Sequence, residues 1–142
     1  MLHLANTFAN LLIAKKLANH KRVKKIDLII PMPMHSSRLQ MRGFNQALEL
    51  ACIIAKKTQL QLDYSSCQRT KLKPPQTSLP LKERIKNIQG VFNCSQDLKG
   101  LSIALVDDVM TTGASLNELA KTLKKAGAAH VECWVIARTL PK

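Results

Sequence analysis

Aromatic side chains are nearly missing from this sequence: Phe, Trp and Tyr together make up 4% of 142 residues. A chain so poor in flat rings is not expected to stack a run of nucleobases. Clustered cysteine is missing too. The four cysteines, Cys52, Cys67, Cys94 and Cys133, stand far apart with no CxxC pair. That leaves no basis for a zinc site or a disulfide framework and fits a reducing compartment. Cys52 and Cys133 lie in apolar runs and are expected to be buried as small hydrophobes. No stretch reaches the roughly 20 uninterrupted apolar residues that a membrane helix needs. The opening segment Met1 to Leu17 is apolar, but Asn6, Asn10, Lys15 and Lys16 interrupt it. It has neither a basic start nor a small-residue cleavage pattern, so no signal peptide is read and a cytoplasmic location is expected.

Negative charge is scarce. Nine Asp and Glu face 22 Lys and Arg, a formal net charge of +13. Such a balance attracts polyanions: nucleic acid, anionic lipid or phosphorylated metabolites. The plainer alternative is a solvated basic surface. The length suits a single domain over residues 1–142 with one core.

The pattern along the chain alternates strand and helix. Leu2 to Ala18 reads as a leading helix, followed by a charged connector, so that residues 1–25 precede the first strand. Ile26 to Pro31 is a short continuous apolar run, as in a strand covered on both faces. Phe44 to Lys57 has a helical apolar side formed by Ala47, Leu48, Ala51, Ile54 and Ala55. Leu60 to Ser65 alternates like a strand. Residues 66–100 carry Pro74, Pro75 and Pro80 and little periodicity, and read as one long loop, with a short strand at Val91-Phe92-Asn93. Leu101 to Val106 is a second buried strand, Thr112 to Ala126 a helix stopped by Gly127, and Val131 to Ala137 a third strand. Strand–helix–strand spacing predicts an α/β fold with a parallel sheet of three to five strands. Ligands in such sheets lie beyond the carboxyl ends of the strands, which puts Pro31 to Phe44 beside Asp107 to Ser115.

The chemistry concentrates in Val106-Asp107-Asp108-Val109-Met110-Thr111-Thr112-Gly113-Ala114-Ser115. A buried strand ends in two carboxylates, passes a small hydroxyl- and glycine-bearing turn, and enters a helix. Amides opening a helix have no partners within it and carry partial positive charge, so they suit a phosphate. Gly113 lets the backbone approach closely. Paired carboxylates can accept hydrogen bonds from vicinal sugar hydroxyls. Together these features describe a site for a ribose 5-phosphate. The plainer alternative is a helix capped by Thr111 or Thr112 after two solvated aspartates.

The run Leu105 to Ser115 resembles the signature of type I phosphoribosyltransferases, which bind 5-phosphoribosyl-1-pyrophosphate. The resemblance implies an α/β fold of that type, a parallel sheet flanked by helices with a long flexible hood loop. It gives Asp107 and Asp108 the ribose hydroxyls, as the catalytic acids. It gives Val109, Met110, Thr111, Thr112, Gly113, Ala114 and Ser115 the 5-phosphate, and it implies Mg²⁺ as cofactor. No protein metal ligand is assigned. Ile30-Pro31-Met32-Pro33, Arg38 and Arg42-Gly43-Phe44-Asn45-Gln46 narrow the resemblance to the ComF competence-protein family. So do Arg69, Thr70, Gln76, Leu79, Arg84, Asn87 and Phe92. Pyrophosphate then falls to Met34, His35, Arg38 and Arg42, and the hood cations are Arg69, Lys71, Lys73 and Arg84. For Arg42 the alternative is a cap or surface ion pair, and for His35 a solvated loop position. For the hood cations it is a solvated basic loop. The ComF resemblance also implies a role in natural transformation, with single-stranded DNA as a further partner. ComF-like proteins commonly open with a cysteine-rich zinc-binding module. This sequence starts where that module would end, so functions that depend on it are not implied. The acceptor and the oligomeric state are not legible, though a dimer is compatible with the pattern.

Overall fold

The computed structural model describes residues 10, 25–34, 40, 43, 45–70, 82, 89–110 and 113–138, with backbone alone at Val109, Met110, Ala137 and Arg138. Apart from Asn10, the leading helix expected over Leu2 to Ala18 lies outside the described residues.

Four parallel strands form the main sheet: β1 (Leu28–Pro31), β2 (Gln61–Leu62), β5 (Ser102–Met110) and β6 (His130–Arg138), in the order β2-β1-β5-β6. Helix α1 (Gln46–Thr58) links β1 to β2, and helix α2 (Ala114–Lys125) links β5 to β6. The chain steps one way from β1 to β2 and the other way from β5 to β6. Crossovers of one hand therefore put the two helices on opposite faces. Packing agrees. On one face Ala47, Leu50, Ala51 and Ile54 of α1 are buried, and Leu50, Ala51 and Ile54 pack with Ile29, Ala104, Val106 and Trp134. On the other face Leu116, Leu119 and Leu123 of α2 cover Leu28, Ile30, Ile103 and Leu105. Ile29, Leu105 and Leu119 are fully buried, each contributing about 1.5–3 kcal/mol relative to exposure.

A second, two-stranded antiparallel sheet joins β3 (Cys67–Arg69) to β4 (Phe92–Cys94). Cys67, Val91, Phe92 and Leu98 enter the same core as α2, so the long segment after Asp63 has a structured base at each end. Gly90 N–H donates to Glu118 of α2 at 3.0 Å, fixing the far end.

Several sequence expectations shift. The strand expected over Leu60 to Ser65 is two residues long, because Asp63 accepts from the amides of Ser65 and Ser66 and turns the chain. β5 does not stop at Val106; pairing with β6 carries it to Met110. Cys52 and Cys133 are exposed, not buried. Cys52 sits beside Ala51 but faces away from the buried stripe of α1, and Cys133 lies on the edge strand β6. The buried cysteine is Cys67.

At the rim where the strands start and both helices end, Lys25, Lys56, Lys57, Lys99, Lys124 and Lys125 are exposed. Two acids on that rim bond to backbone: Asp27 accepts from Ser102 N–H at 2.9 Å and Asp97 from Lys99 N–H at 3.0 Å.

Candidate functional site

The direction of the chain reverses between β1 and β5, and open α/β sheets bind ligands at the carboxyl end of such a switch point. Here the two strand exits are tied together. Met32 N–H donates to Val106 C=O at 2.8 Å, carrying the ladder one residue past β1. Asn45 Nδ2 donates to Met32 C=O at 3.3 Å, and its Oδ1 accepts from Leu48 N–H at 3.2 Å. One side chain thus caps α1 and holds the loop leaving β1. Sequence reasoning noticed Asn45 within a motif but gave it no task. Its position one residue before a helical run was the available signal.

From the neighbouring exit, Asp107 and Asp108 lie in the last third of strand β5, both half-buried. Asp107 Oδ1 accepts from Asp108 N–H at 2.9 Å. Burial, then the hydrogen bond and charge of the Asp108 carboxyl, push Asp107 up to about 7. Two carboxyls that share one partly dry place resist double ionisation, and hydroxyl donors or a cation relieve that.

Helix α2 then opens at Gly113, which is its N-cap at φ 80° with no side-chain capping bond. This left-handed backbone is what glycine tolerates best. Asn117 N–H reaches Gly113 C=O at 2.8 Å as the helix begins. Ala114 and Ser115 are half-buried in a first turn without any acidic residue. The N-cap is Gly113 and not Thr111 or Thr112, as the plainer alternative had it, and both threonines lie outside the described residues.

Met34 is half-buried in the loop after β1. His35, Arg38, Arg42, Lys71, Lys73 and Arg84 lie outside the described residues, as do the side chains of Val109 and Met110. Arg69 belongs to β3, its guanidinium 5.9 Å from the centroid of the Phe92 ring, a distance at which a cation is attracted to a ring face. Among the described residues no three His, Cys, Asp or Glu form a metal cluster. A Mg²⁺ beside Asp107 and Asp108 would take most of its ligands from phosphate, sugar and water oxygens. That is its usual habit, so the residues present fit it.

The model of the phosphoribosyl transferase domain matches residues 11–140. The chain belongs to that family. Among its relatives, the DNA utilization protein YhgH of Shigella flexneri is 34% identical over 80% of this chain and 50% of its own length. Competence protein F of Haemophilus influenzae is 32% identical over 82% of this chain and 52% of its own length. These relatives put the chain in the ComF branch of the phosphoribosyltransferases. The chain spans about half the length of the curated relatives it matches. The purine phosphoribosyltransferase from Pyrococcus horikoshii Ot3 superposes with a TM-score of 0.52 at 22% identity, covering 98% of this chain and 85% of that one. This likeness concerns the fold, a parallel sheet flanked by helices as the resemblance implied.

Proposed function

We propose that this ComF-like phosphoribosyltransferase-family chain binds 5-phosphoribosyl-1-pyrophosphate with Mg²⁺. The observation that carries the reading is the acid pair Asp107–Asp108 near the carboxyl end of β5, a few residues of chain before the glycine-capped start of α2. In this reading the two carboxyls accept from the ribose 2′ and 3′ hydroxyls. The 5-phosphate rests on the loop from Val109 to Ser115, where Gly113 leaves room and the first amides of α2 point their donors. The loop after β1, with Met34, His35, Arg38 and Arg42, receives pyrophosphate. Arg69, Lys71 and Arg84 in the hood segment add positive charge. Bound Mg²⁺ neutralises pyrophosphate charge and makes it a better leaving group. The protein's share in a transfer to an acceptor is positioning and charge stabilisation at the anomeric carbon.

Titration calorimetry with Mg²⁺ and 5-phosphoribosyl-1-pyrophosphate tests this. Wild type should release heat with a stoichiometry near one per chain, and Asp107→Asn/Asp108→Asn should weaken binding at least tenfold. Equal binding by the double variant would remove the assignment.

A second reading concerns DNA. The names of the relatives point to DNA utilization and competence, and the strand-start rim exposes six lysines while Asp27 and Asp97 are bonded to backbone. Clustered lysines that outnumber the acids beside them suit a phosphodiester backbone. This role for the rim, in single-stranded DNA uptake within the cytoplasm, is compatible with a phosphosugar site at the opposite end of the sheet.

A further inference from the structure

The antiparallel pair β3–β4 aligns two cysteines. Cys67 stands opposite Cys94, Gln68 opposite Asn93, and Arg69 opposite Phe92. Just outside the strands, Ser95 N–H donates to Ser66 C=O and Thr70 N–H to Val91 C=O, both at 2.8 Å. In an antiparallel ladder, hydrogen-bonded and non-hydrogen-bonded pairs alternate. The bonded positions are therefore 66–95, 68–93 and 70–91, and Cys67–Cys94 is a non-hydrogen-bonded pair. Such pairs bring Cα atoms to about 4.5 Å with their side chains on one face. A disulfide spans Cα separations of about 4.4–6.8 Å. Cys67 is buried in the core beneath α2, and Cys94, half-exposed, packs against that core. The Cys94 thiol donates to Gln96 C=O at 3.6 Å.

We propose that Cys67 and Cys94 form a reversible thiol–disulfide site that covalently closes the base of the segment between β3 and β4. Burial, followed by the neighbouring Cys94 thiol and the Asp63 carboxylate, holds the Cys67 thiol well above the usual range, so Cys67 does not start the reaction. The half-exposed Cys94 does. As a thiolate it attacks a small disulfide such as glutathione disulfide, forming one mixed S–S bond and releasing one glutathione thiolate. The Cys67 thiol gives up its proton to that thiolate. Its sulfur then attacks the Cys94 sulfur and expels the second glutathione, which takes up a proton from solvent to replace the one Cys94 lost. Two protein thiols and one disulfide become one protein disulfide and two free thiols. Cys52 and Cys133 are exposed on α1 and β6, and neither is aligned with another cysteine in the pairing of the strands.

The test equilibrates the full, folded chain with reduced and oxidised glutathione, quenches with acid and maps the cysteines by mass spectrometry. The expected result is a Cys67–Cys94 linked peptide with a mass lower by two hydrogens, formed reversibly. A tryptic cut between residues 71 and 88 should leave halves that separate on a gel only after reduction. In Cys94→Ser or Cys67→Ala the halves should separate without reductant. Persistence of both thiols in excess glutathione disulfide, or glutathione adducts alone at Cys94, would overturn the proposal. So would a link through Cys52 or Cys133 in place of this pair.

Discussion

At the scale of single residues, the fold visibly alters the chemistry of the Asp107 carboxyl. Burial and the adjacent Asp108 push it up to about 7 from an ordinary 3.8. A raised carboxyl favours the folded state while it is protonated. Its contribution is fully present below pH 3.8 and is lost as pH rises through about 7. Asp63 runs the other way. Burial would raise it, but hydrogen bonds from Ser66 and Ser65 outweigh burial and hold it low, so its contribution is lost as pH falls. Urea unfolding between pH 4 and 7.5 separates the two. Without ligand, wild type should lose on the order of 2 kcal/mol across this window, discounting for the partial exposure of Asp107. Asp107→Asn should flatten the curve and leave it higher at pH 7.5. Parallel curves would mean that Asp107 ionises freely in the folded chain. The acid pair was plain in the sequence because strand, acids, glycine and helix are contiguous there. Asn45 was not, since its task, bonding Met32 C=O, spans thirteen residues of chain.

At the scale of elements, Gly127 shows how a turn fixes the seating of α2. It follows the helix at φ 111°, and a Cβ there would come within 2.8 Å of Lys99 Cα and 2.9 Å of Lys99 N. Gly100 N–H donates to Gly127 C=O at 3.1 Å, locking the two turns together. Gly127→Ala therefore meets backbone, which cannot swing aside, in a conformation that alanine resists. It should cost about 2 kcal/mol or more and lower the thermal midpoint by several degrees. A midpoint unchanged within a degree would show that the turn relaxes freely. The sequence marked Gly127 as a stop because glycine after an amphipathic run is a local signal. Long-range pairing is not local. β3 was invisible because Cys67–Arg69 gains its partner from β4, more than twenty residues away. β5 outran its apolar stretch because the ladder with β6 supports Asp107 and Asp108 in extended form. Cysteine burial was misjudged because an apolar neighbourhood in sequence does not say which face a residue takes.

At the scale of the molecule, the topology separates two kinds of charge. Strand ends and helix starts meet at the switch point, where carboxyls and helix amides gather. Strand starts and helix ends meet at the opposite rim, where lysines favourably follow the negative ends of α1 and α2. Helix-end lysines are favourable without any partner, so their presence alone does not assign a ligand; salt dependence does. Single-stranded oligonucleotide binding that neutralises Z phosphates changes in log affinity with log salt by a slope of about −0.7Z. If the rim carries the contact, Lys56→Glu/Lys57→Glu and Lys124→Glu/Lys125→Glu should each weaken binding and make the slope shallower by roughly one to two. Both variants should still bind 5-phosphoribosyl-1-pyrophosphate with Mg²⁺ as wild type does, because the strands hold that site at the far end of the sheet. An unchanged slope in both variants would move any DNA contact off this rim. A loss of both ligands together would mean that the two ends are coupled through the sheet.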